Sequence, residues 1–391
     1  MMFWMVLFSI LVIRLNDYSI AMSIGLLDLF SAFMVWLAVG SVILAYFSSR
    51  SFSILWGMLM VFCMSTFLVS NLFWFYLMFE LSLLPIFMMI LLWGGQPERL
   101  GASMYFIVYT IIFSVPFLVM IMSIGIIYFW WPLYSMPSLL VSMVFILPFL
   151  VKLPVFGLHF WLPKAHVEAS TSGSMILASL LLKLGSFGLF RILLVMALGV
   201  FPMLMFVCAI ISSIFTVMQV DFKKLVAYSS VTHMTFLSMA SMTVNKSVLF
   251  MMIMFSVAHG WASSSLFFLV GQSSGVSYSR LGMLLSSMSN LFWFYLMFGL
   301  ILMSNSSIPP MPSFFPEVLA ICGALMSISV VIVCFIFFSL LVCYFNSILF
   351  LGISKSKGNH FKGGILSISE SIVIFTQVAL SIISIMLIFQ F

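Results

Sequence analysis

Apolar stretches separated by short polar breaks recur along the whole chain. Most run about 20 residues, the length a helix needs to cross roughly 30 Å of hydrocarbon. Read between the breaks they fall near 1–13, 27–47, 52–70, 72–93, 103–128, 137–158, 170–196, 198–219, 224–243, 247–270, 283–326, 328–352 and 365–390, about thirteen spans. None alternates as the strands of a membrane barrel do. Inside lipid every backbone polar group must be satisfied within its own segment, which leaves helices. The predicted fold is all-α, a polytopic transmembrane helical bundle.

Two of the stretches cannot be continuous helices. The sixth carries Pro148 and Pro154, and the eleventh holds Ser-Asn-Ser-Ser-Ile-Pro-Pro at 304–310. Proline lacks the backbone donor and its ring collides with the preceding turn, so both spans are predicted to break. The breaks lie five spans apart, which suggests an internal repeat of the kind found in carriers with two related halves and discontinuous helices.

Composition agrees with this reading. Of 391 residues, 65% are hydrophobic and 6% charged, with mean hydropathy +1.34, against roughly 25% charged in soluble domains. No water-soluble core could hide so much apolar surface. The net charge of +6 comes from scattered loop residues, so nucleic acid is not an expected partner. Counted over alternate loops, one face collects Arg50, Arg99, Lys164, Lys223, Lys224, Arg280, Lys355, Lys357 and Lys362, and the other Arg14, Arg191 and Lys246. That bias places the N-terminus and the basic loops on the side of synthesis, and Phe391 opposite. The start MMFWMVLFSILVIR reads as a first span, not a signal peptide. The five cysteines have no metal-ligand spacing and lie in apolar runs, which argues against an iron–sulfur cluster. The 34 methionines read as packing and lipid-facing filler.

Against this background four charges stand out: Glu80, Lys152, Lys183 and Glu317, each inside an apolar run. Insertion scales put such a residue at roughly 2.5–3.5 kcal/mol, so a chain that keeps four has a use for them. A carboxylate and an amine desolvated side by side can exchange a proton, and moving a third charge nearby resets both. His159, His233 and His259 are candidate shuttles, because imidazole titrates near neutrality. Plainer readings compete: a static ion pair fixing helix packing, a snorkelling Lys183, or histidines that merely pack. The stretch GLHFWLPKAHVEASTSGSM, with Lys164, His166 and Glu168, is unusually polar and ends in a helix start at its Ser and Thr residues. His360, in KSKGNHFKGG, is expected in solvent. No phosphate-binding glycine loop, HExxH or Ser-His-Asp order is present.

The segments FELSLLPIFMMILLWGGQPERLGASMYFIVYT, VKLPVFGLHFWLPKAHVEASTSGSMILASLLLKLGSFGLFR, DFKKLVAYSSVTHM, AHGWASSSLFF and IPPMPSFFPEV together resemble the chain 4 family of mitochondrial NADH–ubiquinone oxidoreductase, respiratory complex I. WLPKAHVEA with LLKLGSFG separates this resemblance from the sister antiporter-like chains. It implies a proton-pumping, antiporter-like membrane-arm subunit with inverted repeats and two discontinuous helices, which holds no cofactor. NADH, FMN, the iron–sulfur clusters and ubiquinone belong to other subunits. It further implies other complex I subunits as partners, with sister chains on both sides, a multi-pass place in the mitochondrial inner membrane, and cardiolipin as a candidate lipid. Glu80 and Lys152 match the family's Glu–Lys pair, Lys183 its central lysine and Glu317 its last charge, with His233, His259 and His159 on its polar axis. The domain division expected is 1–71 peripheral helices, 72–196 first repeat half, 197–352 second repeat half, and 353–391 a basic loop with the last helix. Two departures stand out, Ser170 after VEA where the family has Pro, and Pro316 where it has Gly. Relative to the family, a span near the N-terminus is also expected to be missing. The rival expectations are a stand-alone cation/proton antiporter and a structural scaffold subunit.

Overall fold

A computed structural model describes residues 20–22, 25–27, 29–49, 54–124, 139–196, 202–243, 248–277, 280–281, 292–325, 331–355 and 368–389. The first predicted span, the loop with His360, and several counted loop lysines and arginines lie outside them. The chain divides into two compact units, Met1–Tyr46 with Ser51–Val200 and Phe47–Arg50 with Phe201–Phe391.

The first unit opens with a three-residue antiparallel pair, β1 (Ile20–Met22) and β2 (Gly25–Leu27). The described elements that follow are helices: α1 (Leu29–Ser49), α2 (Ile54–Leu68), α3 (Leu72–Leu81), α4 (Leu83–Trp93), α5 (Arg99–Ile124), α6 (Leu139–Lys152), α7 (Trp161–Glu168), α8 (Thr171–Ile176) and α9 (Leu182–Met196). Its core is aromatic. The rings of Phe75, Phe79, Phe117 and Phe187 surround or adjoin Phe149 and one another at centroid separations of 5.4–6.3 Å, and such pairs add ~0.5–1.5 kcal/mol each to their burial. The outward face of α5 is the reverse of a soluble helix. Met104, Val108, Ile111, Val115 and Val119 are exposed while Ser103, Thr110 and Ser114 are buried, as lipid on the outside requires.

Two spans read as continuous prove interrupted. The stretch 72–93 is α3 and α4 joined at Ser82. The cause is Pro85, which cannot donate to the carbonyl of Leu81. The stretch 170–196 passes through one π-helical turn, Leu177–Leu181, between α8 and α9. The two predicted breaks are present. The sixth span ends as a helix at Lys152 and resumes as α7. Ser170 caps α8 by accepting from Gly173 N–H at 3.2 Å, as the Ser/Thr pattern anticipated.

The second unit holds α10 (Pro202–Val217), α11 (Phe222–Ser241), α12 (Val248–Ser277), α13 (Phe292–Asn305), α14 (Phe314–Leu325), α15 (Val331–Lys355) and α16 (Ile368–Phe389). The eleventh predicted span is thus α13 and α14, separated by 306–313. The described side chains of α12 are almost wholly buried, although Ser256, His259, Ser263, Ser264 and Ser265 lie among them. On α11 the hydroxyls of Ser229, Ser230, Thr232, Thr235, Ser238 and Ser241 each donate to the carbonyl three residues back at 2.7–2.9 Å. Hydroxyls satisfied in this way can face a packed interior without an exposed polar debt.

Candidate functional sites

In the first unit the site grows out of the break after α6. Pro154 cannot donate, so the carbonyl of Leu150 accepts from Val155 N–H at 3.2 Å, and the carbonyl of Val151 accepts from the Trp161 indole at 2.9 Å. The open end of α6 is therefore sealed by protein groups, as a buried helix end must be. Lys152 is its last residue, 4% exposed, where the helix dipole favours a cation. Its ammonium lies 3.7 Å from Glu80 Oε1, donates to the Phe79 carbonyl at 3.1 Å and sits 2.8 Å from the centre of the Phe79 ring. Glu80 and Phe79 stand at the end of α3, just before the Pro85 seam. Two helix interruptions thus meet around one ion pair.

Close approach of α9 makes this possible. A Cβ at Gly188 would overlap the Phe149 ring, and one at Gly185 would stand 3.2 Å from Lys152 Cβ and from Leu153. Lys183, fully buried, lies between these glycines and the π-turn, and its ammonium donates to the Ala178 carbonyl at 2.6 Å. Lysine here does not snorkel: its head is turned into the unit, onto a carbonyl of the widened turn. His159 lies in the break, stacked between Phe156 and Phe160 at 4.8 and 4.7 Å, with Nδ1 accepting from Gly157 N–H at 3.2 Å. That bond leaves its proton on Nε2.

In the second unit the site forms at the break between α13 and α14. Glu317, in the first turn of α14 and 5% exposed, has Oε1 3.8 Å from His233 Nδ1 of α11. The Ser307 hydroxyl donates to the same oxygen. His233 in turn stands 5.7 Å, ring centre to ring centre, from His259 of α12. A cavity of about 10 Å³, lined by His233, Phe255, His259, Ala262, Ser304, Asn305 and Ser313, is just large enough for one water. Asn305 also donates to Asn346 of α15 at 2.9 Å.

Some of this was not legible in the sequence. Lys223, counted with the loop lysines, is 6% exposed in the first turn of α11, whereas Lys224 points outward and pairs with Asp221 at 3.2 Å. Neighbouring helical residues point about 100° apart, so two adjacent lysines can be split between the inside and the outside of the helix. His166 and Glu168 are buried as well, at 0% and 5%, in the segment whose polarity had marked it. Ser307, Asn305 and the π-turn carried no signal beyond the polar break itself.

A membrane bundle with two broken helices, each carrying a buried charge with a titratable partner, has the architecture of an ion carrier. The comparisons with known proteins agree. The family described as NADH:quinone oxidoreductase/Mrp antiporter, TM matches residues 69–342. NADH-ubiquinone oxidoreductase chain 4 of Artemia franciscana is 42% identical over 288 residues, 70% of this chain and 72% of the relative. Its counterpart in Caenorhabditis elegans is 35% identical over 74% of this chain and 72% of the relative. Among solved structures, a chain of respiratory complex I from Thermus thermophilus superposes with a TM-score of 0.81 at 22% identity, over 92% of this chain and 80% of that one. The chain belongs to the NADH:quinone oxidoreductase/Mrp antiporter family, in the group of NADH-ubiquinone oxidoreductase chain 4, and is a multi-pass inner-membrane protein.

Proposed function

We propose that this chain translocates protons as a membrane subunit of mitochondrial NADH:ubiquinone oxidoreductase, with Lys152, Lys183 and Glu317 as its carriers. One observation carries the residue roles: the Lys152 ammonium rests at the end of a broken helix against the Glu80 carboxylate, at 3.7 Å. A buried ammonium is tolerable while its counter-charge offsets the desolvation. Drawing Glu80 away removes that offset, and the proton leaves the amine; returning it invites a new proton. Lys183 relays, and Glu317 releases through the imidazoles of His233 and His259, with His159 as a branch at the first break. The drive is quinone reduction in other subunits, which hold NADH, FMN, the iron–sulfur clusters and ubiquinone. The sister antiporter-like chains flank this one in the membrane arm, cardiolipin is a fitting lipid, and Phe391 faces the intermembrane side.

The test is Lys152→Met in the intact complex, incorporated in vesicles. The expected result is preserved assembly with most coupled pumping lost, read as protons moved per NADH oxidised. An unchanged ratio removes Lys152 from the mechanism, and a requirement for sodium would favour a cation/proton antiporter instead.

A further inference from the structure

Ser307 is a residue the relay does not need for its chemistry, yet it is held in an unusual way. It lies in the break between α13 and α14 with φ of 54°, the single non-glycine residue with positive φ among the described residues. That conformation is one glycine adopts freely and serine seldom does. A glycine would satisfy the backbone here; what serine adds is a hydroxyl. That hydroxyl is 9% exposed at residue level and donates to Glu317 Oε1, the very oxygen that faces His233 Nδ1 at 3.8 Å. Around it the break is tied down by Ser306 N–H to the Leu302 carbonyl at 2.8 Å, Ile308 N–H to the Met303 carbonyl at 3.2 Å, and the Ser313 hydroxyl to the Ser304 carbonyl at 2.5 Å. The loop that carries Ser307 is therefore fixed relative to α13.

We infer that Ser307 is a positioning residue for Glu317, keeping its carboxyl turned toward His233. The inference rests on the proton-relay reading of Glu317 and adds a device to it. A hydroxyl can donate to the ionised carboxylate and accept from the protonated acid, so the contact survives both states and holds one rotamer through the cycle. The bond to the charged form is the stronger, so Ser307 also favours the state that has released its proton. Among the described residues, the titratable groups that the packed helices bring to this end include His233 on α11, His259 on α12 and Cys343 on α15, the last within electrostatic reach of Glu317. None of them can replace a hydroxyl fixed by the break itself.

The experiment compares Ser307→Gly, Ser307→Asn and Glu317→Gln in the intact complex in vesicles. It reads assembly, the pH profile of pumping per NADH oxidised, and the infrared carboxyl band that disappears in Glu317→Gln. Ser307→Gly relieves the backbone and removes the donor. It should assemble normally, yet move the half-maximal pH of pumping upward by roughly one unit and shift the carboxyl band. Ser307→Asn, which tolerates positive φ and keeps a donor, should move both back toward the parent. Should the glycine variant assemble poorly, Ser307→Cys, a weak donor of similar shape, should shift the same readouts by less. A parent-like pH profile and band in Ser307→Gly would overturn the inference while leaving the relay intact. Parent-like pumping in Glu317→Gln would instead overturn the role of Glu317 itself, and the positioning role with it.

Discussion

Lys152 and Glu80 meet at 3.7 Å, slightly beyond a hydrogen bond, and the ammonium spends its direct bond on the Phe79 carbonyl. A contact of that length can be changed by a small movement of either helix end. Removing one partner of a buried pair costs ~3–5 kcal/mol; with Glu80 19% exposed, the lower end or less applies, and shedding the lysine proton can meet it. Glu80→Gln should therefore assemble, pump markedly less, and leave NADH oxidation less inhibited than pumping. Glu80→Asp, one methylene shorter, should fall between. Equal pumping by all three would make the pair a packing device. At this scale the sequence was informative for a clear reason. Charges in apolar runs are so costly that Glu80, Lys152, Lys183 and Glu317 announce themselves, whereas Ser307 and Asn305 are cheap residues whose importance depends on what the break places beside them.

Among the elements of the first unit, α9 packs closely on α6, and glycine sets the spacing. Alanine at position 188 would gain ~1 kcal/mol of helix propensity. Its Cβ, however, would overlap the Phe149 ring, which cannot yield because Phe75, Phe79 and Phe117 pack around it. Overpacking of this kind costs ~1–3 kcal/mol or more, so Gly188→Ala should lower the thermal midpoint of the complex or its yield. Gly185→Ala, whose Cβ meets neighbours at 3.2 Å, should do so less. Similar midpoints for the two would show that α9 can slide. The breaks after Lys152 and before Glu317 could be read from Pro148, Pro154 and the double proline. The seam at Ser82 followed from Pro85 by the same rule but was masked by its unbroken apolar setting. The π-turn had no signature, since Leu-Ala-Ser-Leu-Leu is as good an α-helix as any.

For the molecule as a whole, the decisive question is whether the charged groups of the two units work in series or in parallel. Each unit carries its own broken helix and its own acid, one opposite a lysine and one opposite an imidazole, so either arrangement is chemically complete. In parallel, each unit would carry its own share of the protons, so each single substitution would remove only that share and the two losses would add. In series, blocking either step stops the same proton, and the second substitution has little left to remove, as for groups that act as a unit. The relay proposed above, from Lys152 through Lys183 to Glu317, would be a series. Lys152→Met combined with Glu317→Gln should therefore pump no worse than the poorer single variant. A double variant whose loss is the sum of two partial single losses would mean that the units pump separately, and that Lys183 does not hand protons from one to the other.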